Sequence, residues 1–462
     1  MSGTAPSLGW LGIARLGLVQ AMLGAVVVLT TSTLNRVMVV ELALPALLPG
    51  LLVALHYAVQ LSRPRMGYGS DVGGRRSPWI LGGIGVLALG GFGAAVATTW
   101  MATDRTAGVA LAALSFALVG IGVSAGGTSL LVLLAKRVDE SRRAPAAALV
   151  WVMMIVGFAV TAGLAGQWLD PYTPQRLMAV SGVVSLVAVC VTGLALWGLE
   201  GHARGPAPAQ KERIDFRAAL AEVWAEPDAR RFTVFVFVSM LAYSTQDLIL
   251  EPFAGAIFGY SPGASTQLSG VQHGGTLTGM LLAALAGRRL GSARLGSLRA
   301  WTVGGCIASG VALLGLVIAG AVAAPNWPLR ANVFLLGAAN GAFSIAAIGS
   351  MMSLAGGAKT GHGAREGTRM GLWGAAQAIG FAVGGLFGAA ASDLARWLIG
   401  DPGSAYAAVF LLEAGMFVVA AWLAVKVGGP HAQVAVPVTA PSAPALPLVG
   451  AADAQALRAG GS

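Results

Sequence analysis

Charge is scarce in this chain. Only 10% of its 462 residues are Asp, Glu, Lys or Arg, whereas 56% are hydrophobic, and ordinary soluble proteins carry roughly 25% charged residues. This balance argues against a soluble globular protein. Cysteine is scarcer still, because Cys190 and Cys306 are the only two and both fall inside apolar runs. We interpret them as small packing residues, without a disulfide framework or a metal cluster.

Two motifs of common enzyme chemistry are also lacking. The sequence has no H-E-x-x-H and no C-x-x-C. The nearest approach to a phosphate-binding loop is Gly356-Gly-Ala358-Lys359-Thr360, which has Ala where that loop needs Gly. We therefore predict a protein that is not an enzyme and that has no protein-bound metal site.

Apolar residues gather in twelve runs that are long enough to cross a bilayer, since a helical span needs about 20 apolar residues. Lipid offers the backbone no hydrogen-bond partner, so spans must be helical unless they form a barrel of short alternating strands. The predicted fold class is all-α, a polytopic membrane protein with twelve transmembrane helices. The runs are 14–34, 44–64, 79–100, 107–133, 146–167, 177–198, 230–250, 268–287, 299–323, 330–355, 370–391 and 404–426.

The distribution of basic residues predicts the orientation. With cytoplasmic termini, five of the 29 Lys and Arg residues lie outside, which leaves 24 on cytoplasmic segments. The net charge of +10 is then explained by topology and by anionic lipid headgroups, and we predict no nucleic-acid partner. The five outer basic residues are Arg36, Arg105, Arg176, Arg330 and Arg396.

A polar stretch divides the spans six and six. We predict an N-terminal half over 1–198, a cytoplasmic linker over 199–229, a C-terminal half over 230–426 and a disordered cytoplasmic tail over 427–462. Within the linker, apolar residues at helical spacing predict a short helix on the membrane surface. The halves also match weakly at an offset of 223 residues, as expected of a duplicated transporter fold.

The loop between the second and third spans contains Gly67, Asp71, Gly74, Arg75 and Arg76. It resembles the loop signature of the major facilitator superfamily, G-x-x-x-D-[RK]-x-G-[RK]-[RK], with Val72 in place of one basic residue. That resemblance implies a latch in which the acid and the arginines hold cytoplasmic helix ends together. The corresponding loop at 287–294 lacks the acid, so the latch would be asymmetric. A basic topology loop is the alternative.

Asp247 and Glu251 are the only charged residues between Phe232 and Gly287. They follow Gln246 and share one helix face at i, i+4, and we expect Pro252 to end the helix at the outer membrane edge. Two carboxylates on one face could serve as a proton relay. They could instead cap helices, pair with Arg36 or Arg330, dock a basic residue of a partner, or lie in solvent at a helix end.

Uncharged polar side chains inside the spans suggest a second kind of site. His56 and Gln60 share one helix face, and Gln272 and His273 lie beside glycines that permit close approach. A neutral imidazole could bond a neighbouring helix or offer a ring nitrogen to a metal, including the magnesium of a chlorophyll. Other polar residues within spans are Asn340, Gln377 and Glu413.

Several of these segments together have a specific pattern, and the chain over about residues 10–428 resembles the PucC/LhaA family of purple phototrophic bacteria. The segments are Glu41-Leu-Ala-Leu-Pro45, Leu55-His56-Tyr57-Ala-Val-Gln60, Gly67-Tyr-Gly-Ser-Asp71, Arg75-Arg76-Ser-Pro78, Ala242-Tyr-Ser-Thr-Gln246-Asp247-Leu-Ile-Leu-Glu251-Pro252-Phe253 and Gln272-His273-Gly274-Gly275.

The resemblance implies a major-facilitator-like assembly factor for light-harvesting antennae in the photosynthetic inner membrane. Its partners would be the antenna α and β polypeptides, membrane lipids, and bacteriochlorophyll or its synthesis machinery, with His56 and His273 as candidate magnesium ligands. The peripheral type II antenna is preferred over the type I core antenna. Glycine-rich faces at Gly337/Gly341 and at Gly380/Gly384/Gly388 would receive antenna helices. The alternatives are a proton-coupled transporter of a tetrapyrrole or other small molecule, which would use Asp247 and Glu251, and a purely structural membrane protein.

Overall fold

The computed structural model describes residues 7–63, 66, 75–200, 224–289, 297–322, 326–356 and 363–427. Within these ranges the chain forms twelve long helices and no strand, which confirms the predicted all-α class. The helices are α1 Trp10–Glu41, α2 Leu47–Ser62, α3 Ser77–Trp100, α4 Arg105–Arg137, α5 Glu140–Leu169, α6 Pro174–Leu196, α7 Pro227–Phe258, α8 Pro262–Arg289, α9 Leu298–Ala321, α10 Leu329–Gly356, α11 Gly363–Ile399 and α12 Pro402–Lys426.

Ten of these helices contain segments that are long and apolar enough to cross a membrane among the described residues, so the protein is a multi-pass membrane protein. The two predicted spans that do not meet this measure are α2, which is short, and α8. Helix α8 is long enough at 28 residues, but it carries Gln267, Gln272, His273 and many Gly, Ser and Thr residues. The predicted number of twelve spans is therefore approximate.

Helix α1 is longer than the predicted run of 14–34 because it continues to Glu41 through two π-helical turns, Leu29–Thr33 and Val37–Glu41. Each such turn adds a residue to the helical repeat and redirects the side chains that follow it. The continuation buries Asn35 and Arg36. The prediction of Arg36 as an outer-loop residue was therefore wrong.

The helices pack in two groups, α1–α6 and α7–α12. Helix α1 packs on α5 and α6, α3 on α4 and α6, and α2 on α4, whereas α7 packs on α11 and α12, and α10 on α8 and α9. Helices α5 and α8, and likewise α2 and α11, make the main contacts between α1–α6 and α7–α12. The proposed linker stays a prediction, because residues 201–223 lie outside the described ranges, as do residues 428–462 of the tail.

The glycine-rich faces are internal. A Cβ added at Gly337 or Gly341 would stand 2.0 Å from a backbone carbonyl oxygen of α8, and one added at Gly384 would stand 2.4 Å from a carbonyl oxygen of α7. These separations are far below van der Waals contact, so the glycines allow helices of this chain to touch backbone to backbone. The prediction that these faces receive antenna helices was therefore wrong.

Candidate functional site

The segment around Asp247 and Glu251 lies inside helix α7, not at its end. Helix α7 contains Pro252 and continues to Phe258, where Gly259 (φ 64°) terminates it in the left-handed conformation. At 1.5 Å per residue, Asp247 lies about 16 Å from that helix end. The prediction that Pro252 ends the helix was wrong, and the position of the two acids relative to the membrane edge stays a prediction.

Asn35 explains how α7 tolerates Pro252. Proline has no backbone N–H, so the carbonyl group four residues earlier, that of Leu248, loses its helical hydrogen bond. The side-chain amide Nδ2 of Asn35 donates to that carbonyl oxygen at 2.6 Å, and Asn35 is buried. A residue of α1 therefore replaces the missing donor, as buried backbone groups in a membrane require.

Glu251 is buried beside the outer part of α1. Neither of its carboxyl oxygens has a hydrogen-bond partner among the described residues, although the guanidinium of Arg36 and the hydroxyl groups of Ser32 and Ser265 lie nearby. Arg36 forms its ion pair with Glu41 at 2.6 Å and donates to the carbonyl oxygen of Tyr260 at 2.6 Å. The guanidinium of Arg36 therefore lies near Glu251 but forms no hydrogen bond with it.

Asp247 is half-buried and lies in different surroundings. The phenol groups of Tyr57 and Tyr243 are within its electrostatic reach, and both rings contact Phe381, at centroid distances of 5.7 Å and 5.8 Å. No described residue forms an ion pair with Asp247. Its neighbour Gln246 is fully buried, and neither amide atom of Gln246 has a described partner.

Glu413 of α12 joins this site. It is fully buried, both of its carboxyl oxygens are without a described partner, and Asp247 acts on it electrostatically. Sequence reasoning counted Glu413 among the polar residues of the spans but did not include it in the site. A lone carboxylate in the middle of an apolar span was the available signal.

His56 has one ring nitrogen already in use. Arg63 donates to Oε1 of Gln60, which leaves Nε2 of Gln60 to donate to Nε2 of His56 at 2.8 Å. His56 therefore carries its proton on Nδ1, which is buried without a described partner. A magnesium ion could bind this ring only if the contact with Gln60 were broken, since the Nε2 lone pair is occupied.

His273 has the opposite arrangement. Its Nδ1–H donates to the carbonyl oxygen of Ser269 at 2.8 Å, so the lone pair resides on Nε2, for which the structure describes no hydrogen bond. The ring packs edge-on against Phe158 of α5 at 4.9 Å. Gln272 is also buried, with an unpartnered Nε2. An imidazole fixed through Nδ1 with a free Nε2 is the usual form of a metal-binding histidine.

Only part of the predicted cytoplasmic latch can be located. Gly67, Asp71 and Gly74 lie outside the described residues, whereas Arg75 is exposed and Arg76 is buried. The backbone N–H groups of Arg76 and Ser77, at the start of α3, donate to the carboxylate of Glu200, the latter at 2.8 Å. Sequence reasoning missed Glu200.

Partial burial opposes ionisation of Glu200. The hydrogen bonds from Arg76 and Ser77, together with the charge of Arg75, nevertheless lower its pKa below the usual value. Glu200 therefore acts as an ionised cap on the first turn of α3.

One serine motif of hydrolases does occur in the sequence, as Gly122-Val-Ser124-Ala-Gly126. In hydrolases this motif places the serine at a sharp turn from a strand into a helix. Here it lies within α4, and the buried hydroxyl of Ser124 donates to the carbonyl oxygen of Gly120 at 2.8 Å. Its geometry is that of a helix interior and not of a nucleophile.

Five hydrogen bonds between described residues join α1–α2 to α7–α11, and all lie in the half of the bundle away from the chain termini. We call them the far-end belt. Besides the bonds of Asn35 and Arg36, Thr33 contacts Thr266 at 3.0 Å, and Asp393 accepts from the backbone N–H groups of Ala46 and Leu47 at 2.9 Å and 2.7 Å. Asp393 thereby caps the start of α2 from α11.

The sequence model of the family described as PUCC protein matches residues 33–431, which is most of the chain. The chain belongs to the PucC family. It is 51% identical over 425 residues to the "Bacteriochlorophyll synthase 44.5 kDa chain" of Rhodobacter capsulatus, covering 91% of this chain and 96% of that relative. It is 30% identical to "Protein PucC" of Rhodobacter capsulatus, covering 89% of this chain and 91% of that protein.

Solved structures of similar fold are major-facilitator-type transporters. A bacterial homologue of the human lysosomal transporter Spinster, in an inward-facing and occupied conformation, has a TM-score of 0.65 at 15% identity, covering 92% of this chain and 97% of its own. A D-xylose–proton symporter has a TM-score of 0.67 at 15% identity, covering 92% and 99%. At these identities the likeness establishes the fold and not the function.

Proposed function

We propose that this PucC-family protein is a non-enzymatic assembly factor for bacterial light-harvesting antennae. It would hold bacteriochlorophyll and assist the insertion or oligomerisation of the antenna α and β polypeptides in the photosynthetic inner membrane, with both termini cytoplasmic. The peripheral type II antenna is the first candidate. Family membership and the names of the relatives support the connection with bacteriochlorophyll and with PucC proteins.

The observation that carries the pigment part is the free Nε2 of His273. The Ser269 carbonyl fixes the tautomer, Phe158 fixes the ring, and Gln272 adds an unpartnered amide donor on the same helix. This donor set fits the central magnesium of a bacteriochlorophyll, which takes a neutral imidazole as a ligand. When bound, the pigment would supply the Lewis-acidic magnesium, and His273 would orient the macrocycle.

A small cavity lies among α1, α3 and α6, lined by Leu29, Thr30 and Ser185 among others, and it offers less room than such a pigment needs. Its volume is about 10 Å³, which is space for about one water molecule. Ligand sites are usually about 300 to 1,000 Å³, and neither His56 nor His273 lines this one. Binding at His273 would therefore require α5 and α8 to separate around Phe158.

Absorption spectroscopy tests the pigment proposal. The full-length protein would be purified in mild detergent from a pigment-making host, with and without co-expressed antenna polypeptides. We expect bound pigment in the wild type and in His56→Leu, and its loss in His273→Leu. No pigment in the wild type under either condition would refute the pigment part, and equal loss in both variants would refute the assignment of His273.

Gene deletion tests the assembly part independently. We expect loss of near-infrared antenna absorption, and the band that disappears identifies the type II or the type I antenna. Newly made antenna polypeptides should co-purify transiently with the protein, whereas a structural membrane protein would stay in the mature complex. Unchanged antenna bands in the deletion strain would overturn the proposal, as would conversion of a bacteriochlorophyll precursor by the purified protein alone.

A proton-coupled transporter of a tetrapyrrole or other small molecule is the second candidate. The specific observation in its favour is the set of carboxyl groups inside the bundle at Asp247, Glu251 and Glu413, none of which has a described ion-pair partner. Asp247→Asn combined with Glu251→Gln separates the two functions. A transporter should lose the pH dependence of uptake into proteoliposomes, whereas an assembly factor should keep restoring the antenna in the deletion strain.

A further inference from the structure

We propose that Asp247 and Glu413 form a coupled proton-binding site inside the helix bundle, where the charge of one carboxyl group favours the protonated form of the other and the proton exchanges with water that reaches Asp247. The site does not depend on pigment binding, and it differs from the Asp247/Glu251 pair that the sequence suggests.

Helix register places the two carboxyl groups at one level. Helices α7 and α12 are in contact, and Phe253 of α7 packs against Tyr406 and Phe410 of α12 at centroid distances of 5.5 Å and 5.0 Å. The two helices run antiparallel. Asp247 lies less than two turns before Phe253 in α7, and Glu413 lies shortly after the residues of α12 that contact Phe253, so the two carboxyl groups are at about the same level along the bundle. The electrostatic action of Asp247 on Glu413 agrees with this register.

Burial and the absence of a counter-ion require a proton at this site. Glu413 is fully buried, and neither of its oxygens has a described hydrogen-bond partner. An isolated ionised carboxylate in such surroundings costs several kcal/mol, and two that face each other cost more. A proton on one of the two carboxyl groups removes one of the two charges, as in other coupled carboxyl pairs.

The surroundings contain no described cation that could take the place of the proton. Tyr57 approaches from α2 and Tyr243 from α7 itself, while Arg63 acts on Tyr57 and His56 but not on the acids. Helices α9 to α11 carry other described ionisable side chains, none of which acts on either carboxyl group: Arg299, Cys306, Arg330, Asp393 and Arg396.

Asp247 provides the route of exchange. It is half-buried, as are Tyr57 and Tyr243, whereas Glu413 is sealed behind it. We therefore expect water to reach the site at Asp247, the more exposed of the two carboxyl groups, while Glu413 stays buried.

Infrared difference spectroscopy of the full-length protein in lipid nanodiscs tests this proposal. Protonated carboxyl groups have a C=O stretching band that carboxylates lack, so the band can be followed from about pH 5 to about pH 9. We expect a titrating band in the wild type that disappears in Glu413→Gln. In Asp247→Asn the remaining band of Glu413 should disappear at lower pH than in the wild type, because the neighbouring negative charge that favours its protonated form is gone.

Glu251→Gln is the matched control, since Glu251 is equally buried but lies beside Arg36. It should remove its own contribution without shifting the band of Glu413. Two carboxyl groups that titrate independently, or that stay ionised over the whole range, would overturn the proposal. A band that responds to sodium or potassium at constant pH would show that the site holds a metal cation instead. Circular dichroism of each variant verifies that the helices are intact.

Discussion

The two ends of the helix bundle are held together differently. At the far end, hydrogen bonds cross between α1–α2 and α7–α11 through Thr33, Asn35, Arg36 and Asp393. At the end that carries the termini, the bonds from Ser77 to Glu200 and from Arg15 to the carbonyl oxygen of Ala195 lie within residues 7–200. Separation of the groups at the far end therefore breaks buried polar contacts, whereas these two terminal contacts stiffen the first group.

The largest loss in the free energy of unfolding is expected from Arg36→Leu, which removes the cation of the far-end belt. The change breaks the ion pair with Glu41 and the bond to the Tyr260 carbonyl, and it leaves Glu251 with no cation nearby. Removing one member of a buried pair costs about 3 kcal/mol. Denaturant titration in detergent should show this loss. Glu41→Gln is the control, since it keeps the Tyr260 bond and should cost less; equal losses would mean that the ion pair alone matters.

Asn35→Leu is expected to have the next largest effect. It should lower the free energy of unfolding by about 2 kcal/mol, because it leaves the buried carbonyl of Leu248 without a donor. Pro252→Ala provides a sharp test in the same titration, since alanine restores the backbone N–H that proline lacks. In the Asn35→Leu background, Pro252→Ala should recover most of the lost stability. If it recovers none, Asn35 does not act through the Leu248 carbonyl.

Asp393→Ala should lower the free energy of unfolding by about 1 kcal/mol, which is the typical contribution of a helix cap. Asp401→Ala is a matched control, because Asp401 caps α12 by accepting from Ser404 at 2.7 Å without crossing between the groups. A disulfide between cysteines introduced by Thr33→Cys and Thr266→Cys, in a background free of Cys190 and Cys306, reports contact across the far end. Asp393→Ala should lower the yield of this disulfide, whereas Asp401→Ala should not. Equal yields in both variants would contradict a belt across the far end.

The smallest effect is expected from Glu200→Gln at the terminal end. It should lower the free energy of unfolding by less than about 1 kcal/mol, because Glu200 is partly exposed. Its pKa in the folded protein is lowered, so its ionised form stabilises the fold above the pKa of an unfolded glutamate. This contribution is lost as the pH falls through the folded value. The stability difference between wild type and variant should therefore shrink on acidification, and a constant difference would mean that the charge of Glu200 is unimportant.

The sequence singles out candidate residues where a feature is local in the chain, and their roles stay predictions. Asp247, Glu251, His56 and His273 attract attention as polar residues in apolar runs, because such residues are costly in lipid wherever they fold. Partners that are distant in sequence could not be assigned. The sequence did not connect Asp247 with Glu413, because the neighbour of a buried acid depends on helix packing that hydropathy does not encode.

Sequence alone determined the fold class, the membrane setting and the PucC family, since apolar run length and the signature segments are properties of the chain itself. Only the tertiary structure decided that α7 continues through Pro252, because a donor from α1 replaces the missing N–H. The structure also decided that the glycine faces are internal and that His273 rather than His56 has a ring nitrogen with a free lone pair. Each of these outcomes depends on contacts between residues far apart in the chain, where hydrogen bonding and close packing are satisfied only after the helices come together.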